Sequence, residues 1–540
     1  MRHNIGLFKH NKRMNERAEE KNRVVKGFGV LAVAAIAGKL LGAFYRIPLV
    51  NILGADGTGL YQLVYPVFVI LITLSSGGIA TTLSKLIAER RVNGEIESVD
   101  GLVKTALITT SFISLVFSLA VYFAGDLIAN IQGDALAAVG YKAIAPAIFV
   151  VGILSVLRGY YQGYSDMVPT ALSQIVEQVV KLVFGLTFAR LFITRGVHYG
   201  AFGALLGVSV SEIVSVISVF LASLKKRNFP KLFSKGITHG YKRDLFEIIR
   251  IALPITLGAC VMPITQFIDS MLVINLTSDS GVVSRTALYG IFTGPVSSLI
   301  NLPVVFTIAL GIALVPSISK SRASYNLESI KIKSGVTLKI GFVFGILCTL
   351  VFCALSKPIV TVLYPSLNVD ESAICVALLS ISSISVLSLS LIQIYSALLQ
   401  GVGLVGKPVV HIAVAAAIKL ILDVLLLRPL GIYGAALSSV VCYMTAFIMN
   451  AISWHKRFKV FNIVKIVSTI GVSGVIIAMP VLYISYNAST ITAVLSVIPC
   501  AILYFLMIMA FGVFSKDEYK SMPFGNRLLK LFVKLGGNND

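Results

Sequence analysis

Lys39 and Arg46 stand seven residues apart in an apolar stretch that holds no acid. On a helix they share nearly one face, about 10 Å apart along the axis. With no carboxylate at i±3 or i±4, the two cations suit an anionic group such as a pyrophosphate, the arginine offering a fork and the lysine a point charge. The competing reading sends Arg46 out to lipid head groups and pairs Lys39 with an acid on another element. Glu177 and Lys181 are spaced i, i+4, as are Lys419 and Asp423, so each pair can neutralise itself within its own helix. Asp269 and Asp423 fall at a similar depth by helix counting. Together they form either a structural charge network or a site for a coupling cation (Na or H), with Lys419 modulating or replacing it. Arg158 precedes a turn, where it is either a positive anchor or a contact for entering substrate. His411 and Glu212 are isolated polar residues expected to make interhelical hydrogen bonds.

The elements that position these residues are set by composition. Of 540 residues, 56% are apolar and 13% charged, against roughly a quarter charged in a soluble domain. Apolar runs of about 18 residues or more, each long enough to cross a bilayer as a helix, recur along the chain. We read about fourteen spans: Val30–Val50, Tyr65–Leu83, Ala106–Phe123, Ala135–Leu157, Val168–Leu191, Ala201–Leu224, Ile251–Leu276, Thr286–Val315, Gly335–Leu355, Ile374–Leu399, Val409–Leu427, Ile432–Ile452, Ile466–Tyr483 and Ile491–Phe514. They are uniformly apolar and too long for the tilted strands of a barrel, so the expected fold is all-α.

The net charge of +22 lies in five clusters: before the first span, at Lys225–Arg243, around Lys320–Lys333, at Lys456–Lys459, and after the last span. With fourteen spans all five fall on one side, the positive-inside pattern with both termini cytoplasmic. The charge therefore points to a membrane and not to nucleic acid. The first apolar segment is span-length and holds Lys39 and Arg46, so it is expected to be retained rather than cleaved as a signal. The six cysteines all lie in spans without CxxC spacing, which favours buried thiols over disulfides or a metal site. Neither a GxxxxGK[ST] loop nor an HExxH motif occurs, so no enzyme and no cofactor is expected; the driving force would be a coupled cation or the membrane potential.

An internal repeat is visible. Arg158-Gly-Tyr-Tyr-Gln-Gly163 with Pro169 and Lys181 recurs as Ser396-Ala-Leu-Leu-Gln-Gly401 with Pro408 and Lys419, and Ser84-Lys85 matches Ser319-Lys320. An even number of spans per repeat keeps both copies in one orientation, so two parallel six-helix lobes are expected. The division is a basic N-terminus at 1–26, an N-lobe at 27–224, a basic linker at 225–245, a C-lobe at 246–455, an added helix pair at 456–514 and a tail at 515–540. In the tail, Arg527–Leu535 has the spacing of an interfacial amphipathic helix. Prolines interrupt the spans most often in the seventh and eighth, at Pro254, Pro263, Pro295, Pro303 and Pro316, which marks those two for bending.

Three stretches carry a family resemblance: Gly38-Lys-Leu-Leu-Gly-Ala-Phe-Tyr-Arg46 with Gly54-Ala-Asp-Gly-Thr-Gly-Leu-Tyr61, then Ala80-Thr-Thr-Leu-Ser-Lys85, then Leu157-Arg-Gly-Tyr-Tyr-Gln-Gly163 leading to Met167–Gln178. Through them the chain resembles the MOP flippase superfamily, within it the stage V sporulation protein B and MurJ-type lipid II flippase group, over nearly its whole length. The resemblance implies a MATE-like pair of lobes and a cationic cavity for a sugar-pyrophosphate head. It implies a groove for a polyprenyl tail beside the added helix pair, and cell-wall synthesis proteins as candidate partners. The family's first-helix cations match Lys39 and Arg46. The second and eighth spans hold few cations beyond Lys85 and Arg285, a departure that bears on which lipid is carried. A flippase for lipid II, a flippase for another polysaccharide or teichoic precursor, and a multidrug or cation antiporter all stay open.

Overall fold

A computed structural model of the chain describes the backbone of residues 2–226, 240–277, 283–458, 463–515 and 518–519, with side chains from residue 29 onward apart from short stretches beside the gaps and residues 96, 486 and 494. Its helices are α1 (Arg2–Ser76), α2 (Ile79–Val92), α3 (Ile96–Gln132), α4 (Ala138–Gly163), α5 (Val168–Phe192), α6 (Val197–Lys226), α7 (Tyr241–Leu276), α8 (Arg285–Ile291) and α9 (Ser297–Ala323). They continue with α10 (Leu327–Ala354), α11 (Ser356–Leu363), α12 (Val369–Ser382), α13 (Ile384–Gly401), α14 (Gly406–Leu430), α15 (Ile432–His455), α16 (Ile463–Asn487), α17 (Thr490–Leu495) and α18 (Val497–Ala510). No strand occurs among the described residues. A medium without water leaves the backbone no other donors or acceptors, so helices that satisfy their own ladders are what such a sequence must form.

Twelve of the described helical stretches are long and apolar enough to cross a membrane. The first of them, Gly29–Val92, is 64 residues long and holds the first two expected spans. It is divided at Gly54, whose φ of 67° and ψ of −172° belong to a region that is essentially glycine-only. The fifth expected span is the 25-residue helix α5; its Gln174, Glu177, Gln178 and Lys181 keep it out of the apolar group. The tenth differs from expectation: in place of one span over Ile374–Leu399, α12 and α13 meet at Ser383. A run of serines offers the backbone competing partners there, and Ser383 Oγ donates to the Ser380 carbonyl at 2.7 Å. Of the two proline-rich spans, α7 continues through Pro254 and Pro263, while the eighth carries a π-helical turn, Phe292–Val296, around Pro295. The tail helix expected at Arg527–Leu535 and most of the basic linker lie outside the described residues.

The chain forms two compact units, but they do not part at the linker as the repeat suggests. One unit is Met1–Tyr45 with Leu63–Phe267, and the other is Arg46–Gln62 with Ile268–Asp540. All three boundaries cut through helices, two in α1 and one in α7. In the first unit, Leu83, Ile87, Leu102, Leu154 and Tyr160 build a core from α2, α3 and α4. Leu63 begins the second stretch of that unit; its carbonyl accepts from Gln132 Nε2 at 3.0 Å and from Tyr141 Oη at 3.3 Å. Further along, Arg90 of α2 holds the start of α7, donating to Asp244 at 2.6 Å and Glu247 at 2.9 Å.

In the second unit, the Arg46–Gln62 segment is held by close backbone approach and by side-chain amides. A Cβ on Gly59 would sit 2.0 Å from the Thr286 carbonyl oxygen, and one on Gly290 would sit 2.2 Å from that of Ala55. Small residues at a helix crossing are what allow such an approach. Gln62 Nε2 donates to the Thr293 carbonyl at 2.8 Å, and Asn51 Nδ2 to that of Leu363 at 2.8 Å. The six cysteines are free thiols; Cys260, Cys375 and Cys442 are buried, but Cys353 is exposed, contrary to expectation.

The added pair docks on α10. Tyr504 of α18 is fully buried and its hydroxyl donates to the Val343 carbonyl at 3.1 Å. Beyond α18, Glu518 accepts from Lys339 Nζ at 2.7 and 2.8 Å, and Lys339 is 7% exposed. Removing one member of a buried pair leaves the other uncompensated, at a cost of about 3–5 kcal/mol. Lys339→Ala is therefore expected to lower the unfolding midpoint of the protein in detergent markedly. The double variant Lys339→Met, Glu518→Leu should recover most of the loss; a Lys339→Ala midpoint equal to wild type would show that the pair does not anchor the added helices.

Candidate functional site

In the first unit the charges gather where α4, α5 and α6 meet. Helix α5 starts with Pro169 in its first turn, where a missing N–H is harmless, and then presents Ser173, Glu177 and Lys181 at successive i, i+4 steps. Arg158 of α4 donates through Nε to Ser173 Oγ at 3.0 Å and through Nη2 to Glu177 Oε2 at 3.0 Å. Gln178 Nε2 donates to the other carboxylate oxygen, Oε1, at 3.0 Å. Buried Glu212 of α6 lies within electrostatic reach of Glu177, Arg158 and Lys181.

This arrangement corrects the expected Glu177–Lys181 pair. The carboxylate is taken by Arg158 at 3.0 Å, both side chains being less than one-fifth exposed. Lys181 instead places Nζ 5.8 Å from the centre of the Tyr45 ring. The physical reason is geometric: a guanidinium fork satisfies a half-buried carboxylate from a neighbouring helix better than a flexible ammonium reaching along its own. Arg158 is thus held by an acid, not left available for substrate in this state.

Helix α1 packs against the same α5. Gly38 and Gly42 leave room for Gln178, since a Cβ on either would meet its side chain at 3.5 and 3.4 Å. Gly185 makes way for Tyr45, whose ring is 2% exposed. Lys39 is exposed and has no ion-pair partner among the described residues. Arg46, the first residue of the segment belonging to the second unit, is half-buried and has no carboxylate partner among the described residues either. In that unit it lies within electrostatic reach of Tyr364, a fully buried residue whose hydroxyl makes no hydrogen bond among the described residues.

The second unit holds a charge triad. Lys419 of α14 places Nζ 2.7 Å from Asp423 Oδ2, one turn along its own helix, and 2.6 Å from Asp269 Oδ1 of α7. Asp423 is fully buried, and Ser438 of α15 donates to its second oxygen, Oδ1. With all three ionised the triad carries one negative charge. The expected i, i+4 pair and the expected meeting of Asp269 with Asp423 are both present, with the ammonium between the two carboxylates. Elsewhere in this unit His411 Nδ1 lies 2.7 Å from Asn450 Oδ1, the interhelical hydrogen bond foreseen for it.

The two α5 spacings can be separated by double-mutant cycles on unfolding in detergent. Arg158→Ala with Glu177→Ala is expected to show a coupling of about 0.5–3 kcal/mol, the range of contacting charged pairs. Lys181→Ala with Glu177→Ala should be nearly additive. A Lys181 coupling as large as that of Arg158 would mean that the carboxylate is shared.

The model of the family described as "Polysaccharide biosynthesis protein" matches residues 24–322. Stage V sporulation protein B of Bacillus subtilis (strain 168) is 27% identical over 521 residues, covering 94% of this chain and 99% of that protein. Lipid II flippase MurJ of the same organism is 27% identical over 451 residues, covering 80% and 82%. Among solved structures, Lipid II flippase MurJ in an inward closed conformation superposes with a TM-score of 0.72 at 15% identity, covering 89% of this chain and 98% of that one. An inward-facing multidrug resistance MATE family transporter of the MOP superfamily gives 0.65 at 19% identity, covering 79% and 98%. These superpositions bear out the expected all-helical, two-lobed MATE/MOP-like architecture. The family match spans more than half of the sequence, and the chain belongs to the polysaccharide biosynthesis protein family.

Proposed function

We propose that this multi-pass membrane protein, a transporter and not an enzyme, is a flippase for a polyprenyl-pyrophosphate-linked cell-wall precursor, with lipid II the first candidate. The precursor would move from the inner to the outer leaflet by alternating access. The observation that carries this reading is the pair of cations on α1, Lys39 and Arg46, neither of which has a carboxylate partner among the described residues. A cation at the bilayer centre costs roughly 2.5–3.5 kcal/mol, so two retained without acids imply an anionic ligand. The names of the relatives, lipid II flippase and stage V sporulation protein B, support the same class. The family description favours a second reading in which another lipid-linked polysaccharide precursor is carried.

In this reading both termini are cytoplasmic and the protein sits in the cell membrane. Outward movement of an anionic pyrophosphate is favoured by an inside-negative potential, at about 2.3 kcal/mol per charge per 100 mV. The triad supports potential-driven transport over a bound alkali cation, because the Lys419 ammonium already lies between Asp269 and Asp423. Two buried carboxylates without it would require a proton or a cation in its place.

Cells depleted of their own lipid II flippase offer the direct test. Wild type is expected to restore growth, and Lys39→Ala and Arg46→Ala at matched membrane levels are expected to fail. No rescue by correctly inserted wild type would move the assignment to another polyprenyl-linked precursor. For the driving force, Lys419→Met is expected to make transport dependent on added sodium or on acidic pH, where wild type is not. If Asp269→Asn with Asp423→Asn leaves transport and its ion dependence unchanged, the triad has no part in coupling.

A further inference from the structure

A second basic place lies wholly within the second unit, apart from the α1 cations and from the triad. Where α9, α13 and α15 end and α10 begins, a cavity of about 810 Å³ is lined by Arg322, Tyr325, Leu327, Gln400, Arg457 and Phe458 among others, with no acid among its lining residues. Arg322 donates through Nη1 to the Val402 carbonyl and makes no ion pair among the described residues. The Arg457 guanidinium and the Gln400 amide are exposed and have no side-chain partner among the described residues. The volume is that of an ordinary small-molecule site.

The repeat shows what is special about this cavity. In the first unit the turn after Gln162-Gly163 is held by Arg91, which donates through Nη1 to the Gly163 carbonyl at 3.4 Å. The guanidinium carbon there lies 4.6 Å from the centre of the Tyr164 ring. Gly401 is the counterpart of Gly163 in the repeat, so Val402 stands where Tyr164 does. An arginine holds each turn, but in the second unit the aromatic ring that faces the guanidinium is replaced by a smaller side chain. The cations of that end therefore face open space.

We infer that this cavity binds a phosphate ester, held by the forks of Arg322 and Arg457 with the apolar part against Leu327 and Phe458, and that its source is the head group of an anionic phospholipid. Two arginine forks without a carboxylate match a phosphate monoanion or diester. The mixed apolar and aromatic lining fits the glycerol and first acyl carbons rather than a free ion. In the orientation proposed above this end faces the cytoplasm, where anionic lipids draw basic side chains to the inner leaflet. The site is separate from the translocated substrate's, so its failure would leave the flippase reading untouched.

Native mass spectrometry of the full-length protein tests this with three added probes: phosphatidylglycerol, phosphatidylcholine and soluble glycerol phosphate. Wild type is expected to retain one phosphatidylglycerol in preference to phosphatidylcholine. Arg457→Gln, which breaks no side-chain contact among the described residues, should weaken that binding about tenfold. Val402→Tyr, which restores the ring of the first unit while keeping both arginines, should abolish it. Lys331→Gln, an exposed charge outside the cavity, should bind as wild type does, and unfolding midpoints without lipid control for folding. Saturable binding of glycerol phosphate that Arg457→Gln loses, with no lipid preference, would keep the phosphate site but assign it to a soluble ester. Equal binding of all probes by wild type, Arg457→Gln and Val402→Tyr would overturn it.

Discussion

A charge in an apolar medium must have a partner, a path to water or a ligand, and this single constraint orders the interior of the protein. Only 13% of the chain is charged, so each charge within a span is conspicuous. Several are accounted for by the protein itself: Arg90 by Asp244 and Glu247, Arg158 by Glu177, Lys339 by Glu518, and Lys419 by two aspartates. Apart from Lys419–Asp423, which lies within α14, each contact joins different elements, so electrostatic neutrality and helix assembly are solved by the same contacts. Against that background the two α1 cations stand out, and they carry the functional reading.

How far these contacts could be read from sequence depended on the distance between partners. Lys419 and Asp423 were legible because a helix places i and i+4 side by side, and Asp269 because helix counting put it at the same depth. The same rule misled at Glu177 and Lys181: spacing shows which contact is reachable, not which competitor wins, and Arg158 wins from another helix. Lys339 and Glu518, 179 residues apart, offer no local signal at all. Helices were legible almost throughout because apolar runs of span length have one stable outcome in lipid. The exceptions fall where hydroxyls or proline compete with the ladder, at Ser383 and at the π-helical turn around Pro295.

The repeat, too, was informative about one property and silent about another. It reports that two stretches of chain have a common ancestry of form, including matching Gln-Gly turns. It does not report which stretches pack together. Where the copies diverge, the difference is local: Tyr164 faces Arg91, while Val402 leaves Arg322 uncovered. Divergence of this kind is how one copy of a duplicated scaffold can acquire a cavity without altering its helices.

The unit boundaries within α1 and α7 have a consequence for the chain as an assembly. Severing the polypeptide in the basic linker would not yield two self-sufficient halves. The first fragment would carry Arg46–Gln62, with the Gly59 and Asn51 contacts that belong to the second unit, and the second would carry the start of α7, whose Asp244 and Glu247 neutralise Arg90 of the first. Each fragment would hold a piece of the other's interior, as two domain-swapped subunits do. The halves are thus obligate complements: co-produced fragments have reason to find each other in the membrane, and neither has reason to be stable alone.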